Sequence, residues 1–134
     1  MSFDLDALLA DAERRGASDL LLVPGAPPTI RLHGDLMAAG RSEEVLGADD
    51  ASDMLSVFLP PQHSEEFRAG HAVDFCFEKP GIGRFRCNLH RDRGGVAASL
   101  RLLPEVIPDF SMLNLPAQVA RFAEVLKGFI LVVG

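Results

Sequence analysis

The sequence is poor in three things, and each absence narrows what it can be. It has two cysteines, Cys76 and Cys87, too few for a disulfide scaffold and without the CxxC spacing of a zinc site. Its longest apolar run is five residues, Phe129 to Val133. A bilayer span needs roughly 20. Basic residues are also scarce: 13 Lys and Arg stand against 19 Asp and Glu, a net charge of −6. Phosphate backbones and anionic membranes are held by clustered positive charge, so this balance weighs against a dedicated nucleic-acid or membrane binder. The opening "MSFDLDALLADAERR" carries acids where a secretory leader carries bases, and a soluble cytoplasmic protein is expected.

What is present reads as a compact α/β (α+β) chain of 134 residues, 48% of them hydrophobic, enough for one core. "SFDLDALLADAERRG" is expected to be a helix. Ser2 can cap it, Asp4 and Asp6 suit its positive end, Arg14 and Arg15 its negative end, and Gly16 stops it. "DLLLV" and "TIRLHG" read as a β-hairpin around "PGAPP", and His33, Gly34 and Asp35 turn the chain into "LMAA". "GADDASDMLSVFL" predicts a helix capped by Asp49 or Asp50 and ended by Pro60 and Pro61, with a short helix in "PQHSEEFRAG" closed by Gly70. From Ala72 the period becomes two. "AVDFCFE", "GRFRCNLHR" and "VAASLRLL", parted by "KPGI" and "DRGG", predict a three-stranded meander. Beyond it, "PEVIPDFSMLNLP" has the proline content of a linker, "AQVARFAEVLKG" predicts an amphipathic helix, and "GFILVVG" a closing buried strand.

Alternation assigns the meander's faces. Phe75, Phe77, Phe85, Cys87, Leu89, Val96, Ala98 and Leu100 fall on the core side; Asp74, Arg84, Arg86, Asn88, His90, Ser99 and Arg101 on the other. With Asp92 to Gly95 as the loop, Arg91 faces Val96, Leu100 faces Cys87, and Arg86 falls directly opposite Arg101. The same rule in the first hairpin pairs Phe75 with Phe85 and Asp74 with Arg86. Two guanidiniums then stand with Cβ atoms about 5 Å apart, an arrangement that is mildly destabilising unless something anionic lies between them. Asp74 is the simple candidate, through a surface ion pair worth about 0 to 1 kcal/mol. A phosphate from elsewhere is the other, because arginine offers a fixed fork of donors and permanent charge.

Three stretches add to this reading. "GASDLLLVPGAPPTIRLHGDL" (Gly16 to Leu36), "GRFRCNLHRDRGGVAASLRLLP" (Gly83 to Pro104) and "KGFILVVG" (Lys127 to Gly134) resemble, in order and spacing, the N-terminal part of PilT-like ATPases, the type IV pilus retraction (twitching-motility) motors of the secretion-ATPase superfamily. The resemblance implies a PAS-like N-terminal domain over residues 1–103, a linker over 104–116, and the start of a RecA-like motor domain over 117–134. It implies that "GFILVVG" leads into a phosphate-binding loop beginning at Gly134, so that this fragment by itself is expected not to hydrolyse ATP and to need no cofactor, while its parent uses ATP and Mg²⁺. It implies a homo-hexamer, working in the cytoplasm at inner-membrane pilus platform proteins, in which sheet arginines approach the nucleotide of a neighbouring subunit. Mapped here, those are Arg86 of "RFRCN" and Arg101 of "SLRLLP", with Arg84, Arg91 and Arg93 as lesser candidates and Arg31 of the "PP..R..G" element as structural. The family's "SDLHL" is "SDLLL" here, which puts Leu21 where histidine is common and leaves a related secretion or DNA-uptake role open.

Three other readings compete with this one. A stand-alone PAS-like sensory module would use a cavity on one sheet face. A metal or redox site from His33, His63, His71, His90, Cys76 and Cys87 conflicts with alternation, which sends the two cysteines to opposite faces. RNA binding through "RFRCNLHRDR" would need Phe85 as a stacking platform, but Phe85 falls on the core side.

Overall fold

A computed structural model describes residues 3–40 and 44–134. The chain divides into two units, Met1–Pro104 and Glu105–Gly134.

The first unit is an open six-stranded sheet with helices on one face. Helix α1 (Leu5–Arg14) begins at Asp4, whose carboxylate accepts the N–H groups of Asp6 and Ala7 at 3.0 and 3.2 Å. Ser2, expected as the cap, lies outside the described residues. Gly16, at φ 69°, ends the helix as expected, a left-handed position that glycine occupies without a Cβ penalty. Strands β1 (Asp19–Leu22) and β2 (Thr29–Leu32) form the expected hairpin. His33 and Gly34 then turn the chain with positive φ at both residues, as in type I′ turns, so that Leu32 pairs with Asp35 at the start of β3 (Asp35–Ala38).

Helix α2 (Ala48–Ser56) corrects the expected cap. Gly47 is the N-cap with no side-chain bond, while Asp49 and Asp50 lie inside the first turn, where their charge still suits the helix dipole. The helix also stops before Pro60 and Pro61. The latter opens a 3-10 turn (Pro61–His63) that runs into α3 (Ser64–Arg68), and Gly70 closes it at φ 94°.

The meander follows as β4 (Val73–Lys79), β5 (Gly83–Asp92) and β6 (Gly95–Leu103). Its second hairpin has the expected register, with Arg91 opposite Val96, Cys87 opposite Leu100 and Arg86 opposite Arg101. Its first hairpin is corrected by two residues: Phe75 pairs with Cys87 and Asp74 with Asn88. Lys79 joins the strand instead of the loop, and the turn tightens to Pro80–Ile82 around Gly81 at φ 77°, with the Ile82 N–H donating to the Lys79 carbonyl at 3.0 Å. A two-residue slip keeps every side chain on its own face, so the face assignment holds.

The sheet order is β3-β2-β1-β6-β5-β4, antiparallel throughout. Two three-stranded meanders are therefore joined along one seam, β1 against β6. On the helix-bearing face, Leu9, Ala12, Leu20, Ile30, Leu55, Phe85, Leu89 and Leu100 are all within 1% of full burial. Phe85 stacks on Phe77 at 5.4 Å, and Phe77 meets Phe58 edge-on at 5.0 Å. Asp11 on α1 accepts the Gly40 N–H at 2.9 Å and pairs with Arg15, which also donates to the Ala38 carbonyl at 3.0 Å, tying the helix to the end of β3.

In the second unit the expected amphipathic helix is instead a 3-10 helix over Ala117–Glu124. The expected closing strand is absent: residues 129–133 take no strand structure, with Phe129 86% and Val132 90% exposed. Both corrections have one cause. A short amphipathic helix is marginal without a surface to bury its stripe, and a strand needs a neighbour for its ladder; residues 105–134 contain no other strand.

Because Phe85 is fully buried and stacks on Phe77, Phe85→Ala is expected to lower stability by about 3–5 kcal/mol, read as a fall in the urea unfolding midpoint. An unchanged midpoint contradicts the core assignment.

Candidate functional site

The face away from the helices carries two rows of side chains that cross all six strands. One runs Leu36, Arg31, Asp19, Arg101, Arg86, Cys76 from β3 to β4; the next runs Ala38, Thr29, Leu21, Ser99, Asn88, Asp74. Each step is a directly opposed pair, so neighbours within a row are close enough to interact. Over the β1, β6, β5 and β4 part of these rows lies an open depression of about 240 Å³, lined by Asp19, Asp74, Arg86, Asn88, Ser99 and Arg101.

The two arginines brought together by the β5–β6 register each have a carboxylate. Arg86 Nε donates to Asp74 Oδ1 at 3.1 Å, and Arg101 Nε donates to Asp19 Oδ1 at 3.0 Å. Asp74 reaches Arg86 diagonally, from two residues along β4 rather than from the opposed position, which Cys76 occupies. Asp19 lies level with both Arg101 and Arg31, and Arg31 Nε approaches its second oxygen at 3.5 Å. Asn88 donates to Asp74 Oδ2 at 3.2 Å, and His90 Nδ1 lies 3.1 Å from Asn88 Oδ1, extending the polar network.

Both carboxyls are held below their ordinary pKa. For Asp19, burial opposes this, but hydrogen bonds from the Ser18 hydroxyl and Arg101, with the charges of Arg101 and Arg31, outweigh it. For Asp74 the hydrogen bonds from Arg86 and Asn88 lead, against a smaller burial penalty. Beneath this face, burial and the Asp74 charge push the Cys87 thiol up to about 12, which leaves it protonated at neutral pH.

The other sequence candidates scatter. Arg84 shares the outer face and is exposed, opposite Glu78 and Leu103, outside the depression lining. Arg91 is on the other face, its guanidinium 4.6 Å from the Phe67 ring centroid, so it leaves the arginine cluster and serves instead as a cation over an aromatic. Arg93 is exposed in the β5–β6 turn, and Gly134 is exposed in the second unit. Cys76 is exposed and Cys87 buried, on opposite faces. No group of three His, Cys, Asp or Glu among the described residues could hold a metal ion.

Asp19 is the site residue that sequence reasoning missed; Arg31 sits beside it, with its Nη1 on the Gly34 carbonyl at 3.1 Å. Alternation in "SDLLL" does send Asp19 outward, away from the buried Leu20 and Leu22. Which arginine it would meet depended on β1 pairing with β6.

No protein-family model matches the chain. It is 30% identical over 131 residues to the type IV pilus retraction ATPase PilT of Pseudomonas aeruginosa, covering 98% of this chain and 38% of that protein. A twitching motility protein of Neisseria gonorrhoeae is 30% identical over 107 residues, covering 80% of this chain and 28% of its own length. The crystal structure of the pilus retraction motor PilT with bound ADP superposes with a TM-score of 0.80 at 32% identity, over 92% of this chain and 36% of that one. The ATPase DotB of Legionella pneumophila shares the fold, at 23% identity, a TM-score of 0.66, and coverage of 90% and 35%. The class is thus an N-terminal α/β domain with an antiparallel sheet, of the kind found in the pilus retraction motor PilT. Within that class the chain is a homologue of the N-terminal region of the PilT-like type IV pilus ATPases, and it spans little more than a third of the PilT it matches.

The lowered carboxyl pKa values set a pH dependence. Their contribution to stability is full above the unfolded carboxylate value of about 3.9 and is lost as pH falls through the folded values. Urea midpoints measured from pH 6 down to 2 are expected to fall below about pH 4, and the fall should be smaller in Asp19→Asn. An identical profile for that variant contradicts the pairing of Asp19 with Arg101 and Arg31.

Proposed function

We propose that this chain is the nucleotide-sensing N-terminal region of a hexameric ATPase that powers type IV pilus retraction, and that Arg86 and Arg101 are offered in trans to ATP and Mg²⁺ held by a neighbouring motor domain. The observation that carries this reading is the opposed pair itself. Two arginines, with side chains 61% and 68% exposed, stand side by side over a polar depression on a rigid sheet. The relatives' names supply the motor: one is a pilus retraction ATPase, and one retraction motor was crystallised with ADP.

The chemistry follows from charge. As the γ-phosphoryl group transfers, negative charge spreads over its oxygens, and guanidiniums aimed at that position stabilise it. The carboxylates already paired with the arginines leave this open: the exposed Arg86–Asp74 pair is worth about 0 to 1 kcal/mol, and both arginines bond their carboxylates through Nε, which leaves Nη for phosphate. A bidentate contact to phosphate is stronger. Bound ATP would then draw this region toward the neighbouring subunit, because a ligand favours the conformation it contacts best. In this reading residues 1–103 are the PAS-like sensing domain, 104–116 the linker and 117–134 the start of the motor domain. Gly134 would open its phosphate-binding loop. The assembly would act in the cytoplasm, against platform proteins of the inner membrane.

In a full-length PilT-like ATPase carrying this region, Arg86→Ala and Arg101→Ala are each expected to cut ATP turnover by about 10²-fold or more, with an unchanged melting temperature for Arg86→Ala and a small fall for Arg101→Ala, which takes one partner from the largely buried Asp19. Wild-type turnover in both variants refutes the assignment.

A further inference from the structure

The two guanidiniums are held by unequal partners. Asp19 has a side chain only 13% exposed and receives three groups: the Ser18 hydroxyl at 2.8 Å, Arg101 Nε at 3.0 Å and Arg31 Nε at 3.5 Å. Arg31 is itself fixed, donating through Nη1 to the Gly34 carbonyl at 3.1 Å in the β2–β3 turn. Asp74 stands on the edge strand β4, is 48% exposed, and receives two groups among the described residues, Arg86 and Asn88. Among the described residues, Arg86 and Arg101 both bond through Nε alone, so the Nη groups of each remain for a ligand.

Taking Arg86 and Arg101 as phosphate ligands, on which this rests, we propose that Asp19 is a positioning residue that keeps Arg101 as a preset anchor, while Asp74 is a competitor that Arg86 leaves when a polyphosphate arrives. The costs of separation differ. Stripping Arg101 from Asp19 leaves a carboxylate with little water around it, so Arg101 engages phosphate through Nη while Nε stays on Asp19. Asp74 is half in water and retains Asn88, so its loss of Arg86 is made good by solvent. The Asp74 charge also repels any anion entering the depression that it lines. Arg101 therefore sets where the phosphate sits, and Arg86 closes on it.

The test uses this 134-residue chain with inorganic tripolyphosphate as probe, read by NMR of the arginine Nε–H groups. In the free chain the Arg101 Nε–H should exchange with solvent about tenfold more slowly than that of Arg86, reflecting its less exposed partner. On titration the Arg86 Nε–H should shift as its carboxylate is exchanged, with Arg101 staying protected. Asp19→Asn should weaken tripolyphosphate binding about tenfold and Asp74→Asn strengthen it several-fold. Equal exchange rates in the free chain, or the two variants moving affinity in the same direction, overturn the inference. If Arg86→Ala and Arg101→Ala leave tripolyphosphate binding unchanged, or no saturable binding is seen, the phosphate reading fails and the competitor role of Asp74 falls with it. The exchange rates of the free chain still report separately on whether Asp19 holds Arg101 more firmly.

Discussion

The seam between β1 and β6 is the constraint on which the sheet depends. Its register places Leu20 opposite Leu100 and Leu22 opposite Ala98 on the helix-bearing face, all four within 1% of full burial. The same register, one residue out of phase, places Asp19 opposite Arg101 and Leu21 opposite Ser99 on the other face. A slip of one residue would expose the first set and bury a carboxylate, so the hydrophobic face fixes the geometry of the polar one. The ladder continues past the strand ends, with the Leu102 N–H donating to the Ser18 carbonyl at 3.1 Å.

This division of labour frees the outer face from the task of stability. Exposed ion pairs contribute about 0 to 1 kcal/mol each, whereas burying one large apolar side chain contributes about 1.5–3 kcal/mol. Arg86 and Arg101, which repel one another when directly opposed, are affordable because Phe85, Cys87 and Leu100 behind them set the strand positions. What Asp19 and Asp74 add is order: they decide in which direction the guanidiniums point.

How far the sequence disclosed this depends on the range of the interaction. The β5–β6 register was legible because a two-residue turn at Arg93 and Gly94 is local, held by Asp92 Oδ1 accepting the N–H groups of Gly94 and Gly95. The β4–β5 register came out two residues away, since nothing in "KPGI" says whether Lys79 ends the strand or starts the loop. Period-two alternation survived that error, and so did the identity of the outer face. Taken at its word, the same alternation also puts Arg91 with Val96 on the core side, away from Arg86. Asp19 was illegible as an arginine partner because it bonds to a residue 82 positions away. In residues 105–134 helical and strand propensity were both legible and neither was realised as expected, because propensity becomes α-helix or strand only against a partner surface.

The net charge of −6 does not conflict with an anion-directed face. Charges in water are screened over about 8–10 Å at ordinary ionic strength, so a ligand at the sheet responds to the nearest rows and not to the whole chain. In the first row three arginines, at 31, 101 and 86, face one carboxylate, Asp19, with Asp74 in the next row. That leaves one positive charge in excess over these five groups, set among Asn88 and Ser99, which can also meet a polar ligand. Toward β3 the rows turn apolar at Leu21 and Leu36. Leu21, where PilT-like sequences commonly carry histidine, therefore bounds the polar patch and supplies no titratable group. The charge of these two rows lies on the β2, β1, β6, β5 and β4 strands, and in the proposed reading it is the spacing of the Arg86 and Arg101 guanidiniums, more than total charge, that selects the shape of the anion.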